Sequence, residues 1–241
     1  DDGVTMLAGW NGVMPPYDSD GNTLSRVDVL PGRGTITISG STIRSPGVSG
    51  GGFVELFAGK DIVLTSSTAV QAISVNLDAG NDITTLNSRI GGLDASMVGI
   101  NLKAARDVTI TSSAFETYGG AMTIDSGRDF TLTATTGNGA ILSTAGCSTP
   151  SSVDCRSGPY TEGGLQTITA VGTVKVEANA YGGQGVALFS SGGQQISADN
   201  IEIRGGLQGI GNDAWITNRS ATVAQTISAH TILLQAGGAS S

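Results

Sequence analysis

The chain has 241 residues, with 13% charged, 5% aromatic, 37 glycines, 6 prolines and one histidine. Twelve Lys and Arg against 20 Asp and Glu leave a net charge of −8, and the cations are scattered singly, which excludes the clustered basic surface that nucleic acid requires. Hydrophobicity is too high and charge too low for disorder, and no window of eighteen or more apolar residues is present to insert into a membrane.

Residues 1–33 read as an irregular lead-in coil. VTMLAGWN (4–11) fits the template described next, with Asn11 in its acidic column, and 12–33, with Pro15-Pro16, form an outer loop. The chain opens at Asp1 with neither Met nor a signal-like segment, so it is expected to be a portion of a longer protein.

Residues 34–145 carry the clearest signal. VELFAGKDIVLTSS (54–67), VNLDAGNDITTLNS (75–88), INLKAARDVTITSS (100–113) and MTIDSGRDFTLTAT (122–135) align without a gap. Asp61, Asp82, Asp107 and Asp129 share one column, at spacings of 21, 25 and 22 residues. Such periodicity marks a repeat architecture. Strands are predicted near 34–39, 61–66, 82–87, 107–112 and 129–134, each after a second strand that ends in a small-small pair such as Ala79-Gly80. Alternation turns Ile62, Leu64, Ile83, Val108, Ile110, Phe130 and Leu132 inward. In the preceding strands it turns in Val54, Leu56, Val75, Leu77, Ile100, Leu102, Met122 and Ile124. The small pairs suit a sharp corner, with positive φ at some of them.

Segment 146–164 breaks the rhythm as an excursion holding both cysteines. Seven residues separate Cys147 from Cys155, too many for a thioredoxin-like motif. With the one histidine far off, a zinc set is not assembled. A loop-closing disulfide in an oxidising compartment is the expectation, with two inert thiols as the alternative.

A second repeat fills 165–241: LQTITAVGTVKVEA (165–178), GQQISADNIEIRG (193–205) and AQTISAHTILLQA (224–236). These coils are longer and are expected to carry an extra, third strand. Ala187-Leu188-Phe189 and Ala214-Trp215-Ile216 are placed at matching positions there, so that Phe189 and Trp215 stack in the core. The ending Gly-Gly-Ala-Ser-Ser follows directly on a strand, which points to a cut from a longer protein or to end-to-end association.

The expected fold is all-β: one right-handed parallel β-helix spanning residues 1–241, of roughly nine to ten coils rising about 4.8 Å each. These repeats resemble those of filamentous-haemagglutinin-like adhesins, large exoproteins of Gram-negative bacteria exported by two-partner secretion. The AGKDIVLTSS-type units and the GGQQISADNIEIRGG unit with ATVAQTISAHTILLQAGG carry the likeness over most of 34–238. No Asn-Pro pair is present, so the family's amino-terminal Asn-Pro-Asn secretion motifs are missing from this stretch. The resemblance implies a downstream shaft segment that is secreted or held at the bacterial cell surface. It further implies attachment to host cells, other bacteria or surfaces, including in biofilms, and an outer-membrane transporter as partner of the parent protein.

Calcium on the Asp column is the sharp alternative, since GNDITTLNSRIGGLD (80–94) resembles calcium-binding nonapeptide repeats but lacks their nine-residue period. The preferred reading is structural: each Asp accepts backbone N–H groups at its corner, and Lys60, Arg106 and Arg128, one residue earlier, offset the like charges. Polysaccharide-cleaving enzymes also use β-helices. Asp199, Asp213, Glu177 and Glu202 are available carboxylates, yet no paired acidic motif lies on a mid-rod strand, and His230 occupies a repeat position read as solvent-facing. The expectation is therefore no catalysis, no cofactor and no metal. Trp10, Tyr17, Tyr160 and Tyr181, on the irregular segments, are the candidate contacts for a cell-surface glycan or protein receptor. A self-assembling extracellular filament or surface-layer subunit is the second reading, and a polysaccharide-acting enzyme the third.

Overall fold

The computed structural model describes residues 3–10, 29–45, 52–91, 99–135, 138–144, 146–147, 160–178, 185–206 and 213–237. Among them there is no helix, and three parallel sheets run the length of a stack of coils. The first sheet orders β1 (Gly3–Ala8), β4 (Phe53–Ala58), β7 (Ser74–Ala79), β10 (Gly99–Ala104), β13 (Ala121–Ser126), β18 (Gln166–Ala170), β21 (Gln194–Ser197) and β24 (Gln225–Ser228). The second orders β2 (Ile36–Ser39), β5 (Ile62–Thr65), β8 (Ile83–Leu86), β11 (Val108–Thr111), β14 (Phe130–Thr133), β19 (Thr173–Glu177), β22 (Asn200–Arg204) and β25 (Thr231–Gln235). The third orders β3 (Thr42–Arg44), β6 (Ala69–Gln71), β9 (Arg89–Gly91), β12 (Ala114–Glu116), β15 (Ala140–Ser143), β20 (Val186–Ser190) and β23 (Ala214–Asn218). This is a parallel β-solenoid: each strand pairs with the equivalent strand one winding away.

The pairing register turns repeat columns into stacked side chains. In the second sheet Ile36, Ile62, Ile83, Val108, Phe130, Val174, Ile201 and Ile232 face one another in turn. In the first, Leu56, Leu77, Leu102, Ile124, Ile168, Ile196 and Ile227 do the same. All fifteen residues that alternation turned inward are essentially fully buried in one continuous core. Burying each aliphatic side chain contributes about 1.5–3 kcal/mol.

Two of the three corners in each winding differ physically. Between the first and second sheets, successive backbones approach so closely that a Cβ at Gly80 would lie 2.1 Å from the Gly59 carbonyl oxygen, and one at Gly127 would lie 2.1 Å from that of Ala105. Close stacking, rather than positive φ, selects glycine at these two corners. Between the second and third sheets of the first four windings left-handed residues make the bend: Gly40 (φ 60°), Ser66 (55°) with Ser67 (64°), Asn87 (49°) and Ser112 (47°). Short polar residues tolerate that region best.

That second corner corrects the expectation of a two-stranded coil over 34–145. A third strand is present in both halves, and β20, the supposed extra stretch of the longer coils, simply continues the sheet of β12 and β15. The missed strands β3, β6, β9 and β12 are three residues long and bury Ile43, Val70, Ile90 and Phe115 inward, too short a run to show alternation. Gly146–Cys147 (β16) and Tyr160–Thr161 (β17) form a small antiparallel pair outside the three sheets.

Candidate functional site

The acidic column lies at the corner between the first and second sheets as a hydrogen-bonded series. An Oδ1 of Asp61, Asp82 and Asp107 accepts the backbone N–H of the next Asp in the column at 3.4, 3.2 and 3.2 Å, and Asp129 accepts that of Thr173 at 2.7 Å. The residue before each Asp reaches back to the preceding winding. Asn81 donates to Asp61 at 2.9 Å, Arg106 grips Asp82 through Nε (3.1 Å) and Nη2 (2.8 Å), and Arg128 grips Asp107 in the same two-pronged way. Lys60 instead lies 3.6 Å from its own neighbour Asp61. The Arg128 hydrogen bonds hold the Asp107 carboxyl below its ordinary range against the opposing effect of burial, helped by the Asp129 N–H. The series stops where Gly172 takes the cation's place, since a Cβ there would lie 2.4 Å from Asp129 Oδ1. These oxygens are committed to N–H donors, and no three His, Cys, Asp or Glu side chains gather as a metal set among the described residues.

The other sequence candidates scatter. Trp10 is 41% exposed and its backbone bridges Val29. Cys147 and Tyr160 sit opposite each other on β16 and β17. Tyr17, Tyr181 and Cys155 lie outside the described residues, and with Cys155 so does the expected disulfide. Asp199 and His230 are exposed corner neighbours, 3.4 Å apart. Glu177 and Glu202 each pair with a cation on their own strand, Lys175 at 2.6 Å and Arg204 at 2.8 Å.

A cavity of about 230 Å³ opens on the outer face of the third sheet, lined by Ile141, Ala187, Phe189, Trp215, Thr217 and Arg219. Its aromatic residues are those the sequence placed in the core, and the register explains the correction. Ala187 pairs with Trp215, Leu188 with Ile216 and Phe189 with Thr217, one position away from the alignment expected. A one-residue slip exchanges the two faces of a strand, so Leu188 and Ile216 point inward while Ala187, Phe189, Trp215 and Thr217 share the outer face. Aligning the third strands on their single inward aliphatic residue, rather than on their aromatics, would have found it.

The cavity is built from neighbouring windings. Trp215 lies against Gly185, where a Cβ would come 3.2 Å from the indole ring. The Arg219 guanidinium carbon sits 5.7 Å from the centre of the Phe189 ring, a cation–π distance. Its backbone N–H is tied to the Ser190 carbonyl at 2.8 Å, which fixes it at the rim. Aromatic walls accept a flat apolar face, and the guanidinium favours an anionic or strongly hydrogen-bonding substituent. Among the described residues the lining's polar side chains are the Thr217 hydroxyl and the Arg219 guanidinium, set against apolar and aromatic walls that suit contact with a ligand.

Compared with protein-family models, with curated proteins and with solved structures, the chain matches none.

Proposed function

We propose that this chain is a non-catalytic segment of the shaft of a secreted or surface-held bacterial adhesin of the filamentous-haemagglutinin-like class, wound as a right-handed β-helix of nine to ten coils. Its parent passes through an outer-membrane transporter, and the shaft binds a cell-surface glycan or protein receptor while holding distal parts away from the cell. The observation that supports this reading is the cavity on the outer face of the parallel stack, walled by Trp215 and Phe189 with the Arg219 guanidinium set over the Phe189 ring.

The test is adhesion of chain-coated beads to epithelial cells and to bacteria, together with a printed glycan array. Binding is expected, and Trp215→Ala or Arg219→Gln should weaken it at least about tenfold with the β-sheet circular dichroism unchanged. Sugar release from acidic polysaccharides would overturn the reading, as would binding that ignores both substitutions. End-to-end assembly of identical chains is the competing reading, and sedimentation of the purified chain separates the two.

A further inference from the structure

The cavity on the third sheet meets its ligand through side chains. Ladder hydrogen bonds lie in the plane of a sheet, and both strands of the floor are paired on either side, β15 with β12 and β20, and β20 with β15 and β23. Along β15 and β20 the main chain is therefore committed, and strand addition, by which extended peptides are held through their backbone, is not offered on this floor. What the face does offer is a preformed set of rings beside Ile141 and Ala187. Such a surface suits a ligand that is itself a rigid ring.

Three different groups stand in line there. Trp215, Thr217 and Arg219 are each two residues apart, which puts them on one face at steps of about 6.6 Å. Arg219 adjoins the end of β23 (Ala214–Asn218), and its N–H bond to the Ser190 carbonyl carries the strand register on to it. The indole accepts the C–H face of a pyranose, and the Thr217 hydroxyl can both donate and accept. The guanidinium, its carbon 5.7 Å from the Phe189 ring centre, keeps the N–H groups at its edge for an anion. Five such donors exceed what one neighbour can engage, and their planar fork matches a carboxylate with two parallel bonds. A volume of about 230 Å³ holds one substituted sugar ring rather than a run of them.

We propose that this cavity binds one carboxylate-bearing pyranose residue of a glycan, with the ring against Trp215, a ring hydroxyl on Thr217 and the carboxylate on Arg219. This rests on the reading of the chain as a binding shaft and names the ligand class of its cavity. Uronic acids and sialic acids share the required chemistry. The carboxylate decides selectivity, because a neutral ring keeps the stacking and loses the charge-assisted pair. The chain's net charge of −8 disfavours densely charged polyanions, so the preference is for a single acidic residue seated at Arg219.

The experiment titrates the full chain with methyl glucuronide, methyl glucoside and the methyl glycoside of N-acetylneuraminic acid. Binding is read from the indole N–H resonance of Trp215, which Trp215→Phe identifies. At least one of the two acidic sugars is expected to bind at least about tenfold more tightly than the glucoside, and the tighter of the two names the sugar class. Arg219→Gln should bring that ratio to about one with the β-sheet circular dichroism unchanged, and Arg219→Lys, which keeps the charge but not the fork, should retain only part of it. A ratio of one in the unaltered chain, or a ratio that survives Arg219→Gln, would overturn the carboxylate's role and leave the cavity a site for neutral glycans. No shift with any of the three sugars, while bead adhesion still responds to Trp215→Ala, would overturn the sugar and leave the binding reading in place. Adhesion indifferent to Trp215→Ala would remove both.

Discussion

The two halves of the stack place their polar series on opposite sides of the backbone. From Asp61 to Asp129 the series runs along an outer corner, carboxylates capping N–H groups and arginines bracing the next winding, over an interior that is almost wholly aliphatic. From Gln166 onward the corner column passes to Thr173, Asn200 and Thr231, and the polar series moves inside as stacked carboxamides. Either device makes one register better than its neighbours, which aliphatic columns alone do weakly. The outer one is screened by water, so its effect per rung is small. The inner one is dry, so an unmatched rung costs more.

The widest contrast is between a closed and an open winding. Phe130, wholly buried between Val108 and Val174, should lose about 3–5 kcal/mol on replacement by alanine, whereas Ile232→Ala, in the same column at the open end, should cost under about 1 kcal/mol. Urea unfolding of the two variants checks this, and equal losses would mean that the open end is as well packed as the middle.

A smaller effect separates satisfied from unsatisfied interior polarity. Thr85 interrupts an inward column of Ile38, Leu64, Ile110, Leu132, Val176 and Ile203, and its fully buried hydroxyl has no hydrogen-bond partner among the described residues. Thr85→Val keeps the shape and removes the stranded hydroxyl, so the variant should be more stable by about 1 kcal/mol. A loss in the urea midpoint would refute this account of the site.

The smallest effect is the pH response of the outer corner. The folded carboxyl of Asp107 is held below its ordinary range, so its contribution is complete above the unfolded pKa and disappears as pH falls through the folded one. Asp107→Asn should therefore flatten the acid limb of stability. Unfolding midpoints across the acid range test it, and an unchanged limb in the variant would show that the Arg128 pair contributes nothing measurable.

Much of the fold was legible because side-chain period and winding period coincide. An aspartate recurring every 21–25 residues between alternating strands specified the stack, the inward residues of two sheets and the corner of small residues. The third sheet was not legible, since a strand of three residues shows one inward side chain and its entry corner is marked only by a Ser, Asn or Gly that polar loops also carry. The glutamines stood in plain view two residues before Ile168, Ile196 and Ile227, but nothing local says whether such a residue faces water or the interior.

The sequence by itself determined that the backbone winds into stacked parallel strands around an aliphatic interior, because hydrophobic alternation and a repeating corner are local and periodic. Only the tertiary structure decided which face Phe189 and Trp215 occupy and in which direction the Gln166 carboxamide chain runs. Both depend on cross-winding register: a one-residue shift in pairing exchanges inside for outside, and the carbonyls of Leu142 and Phe189 that orient the glutamines are neighbours in space and not in sequence.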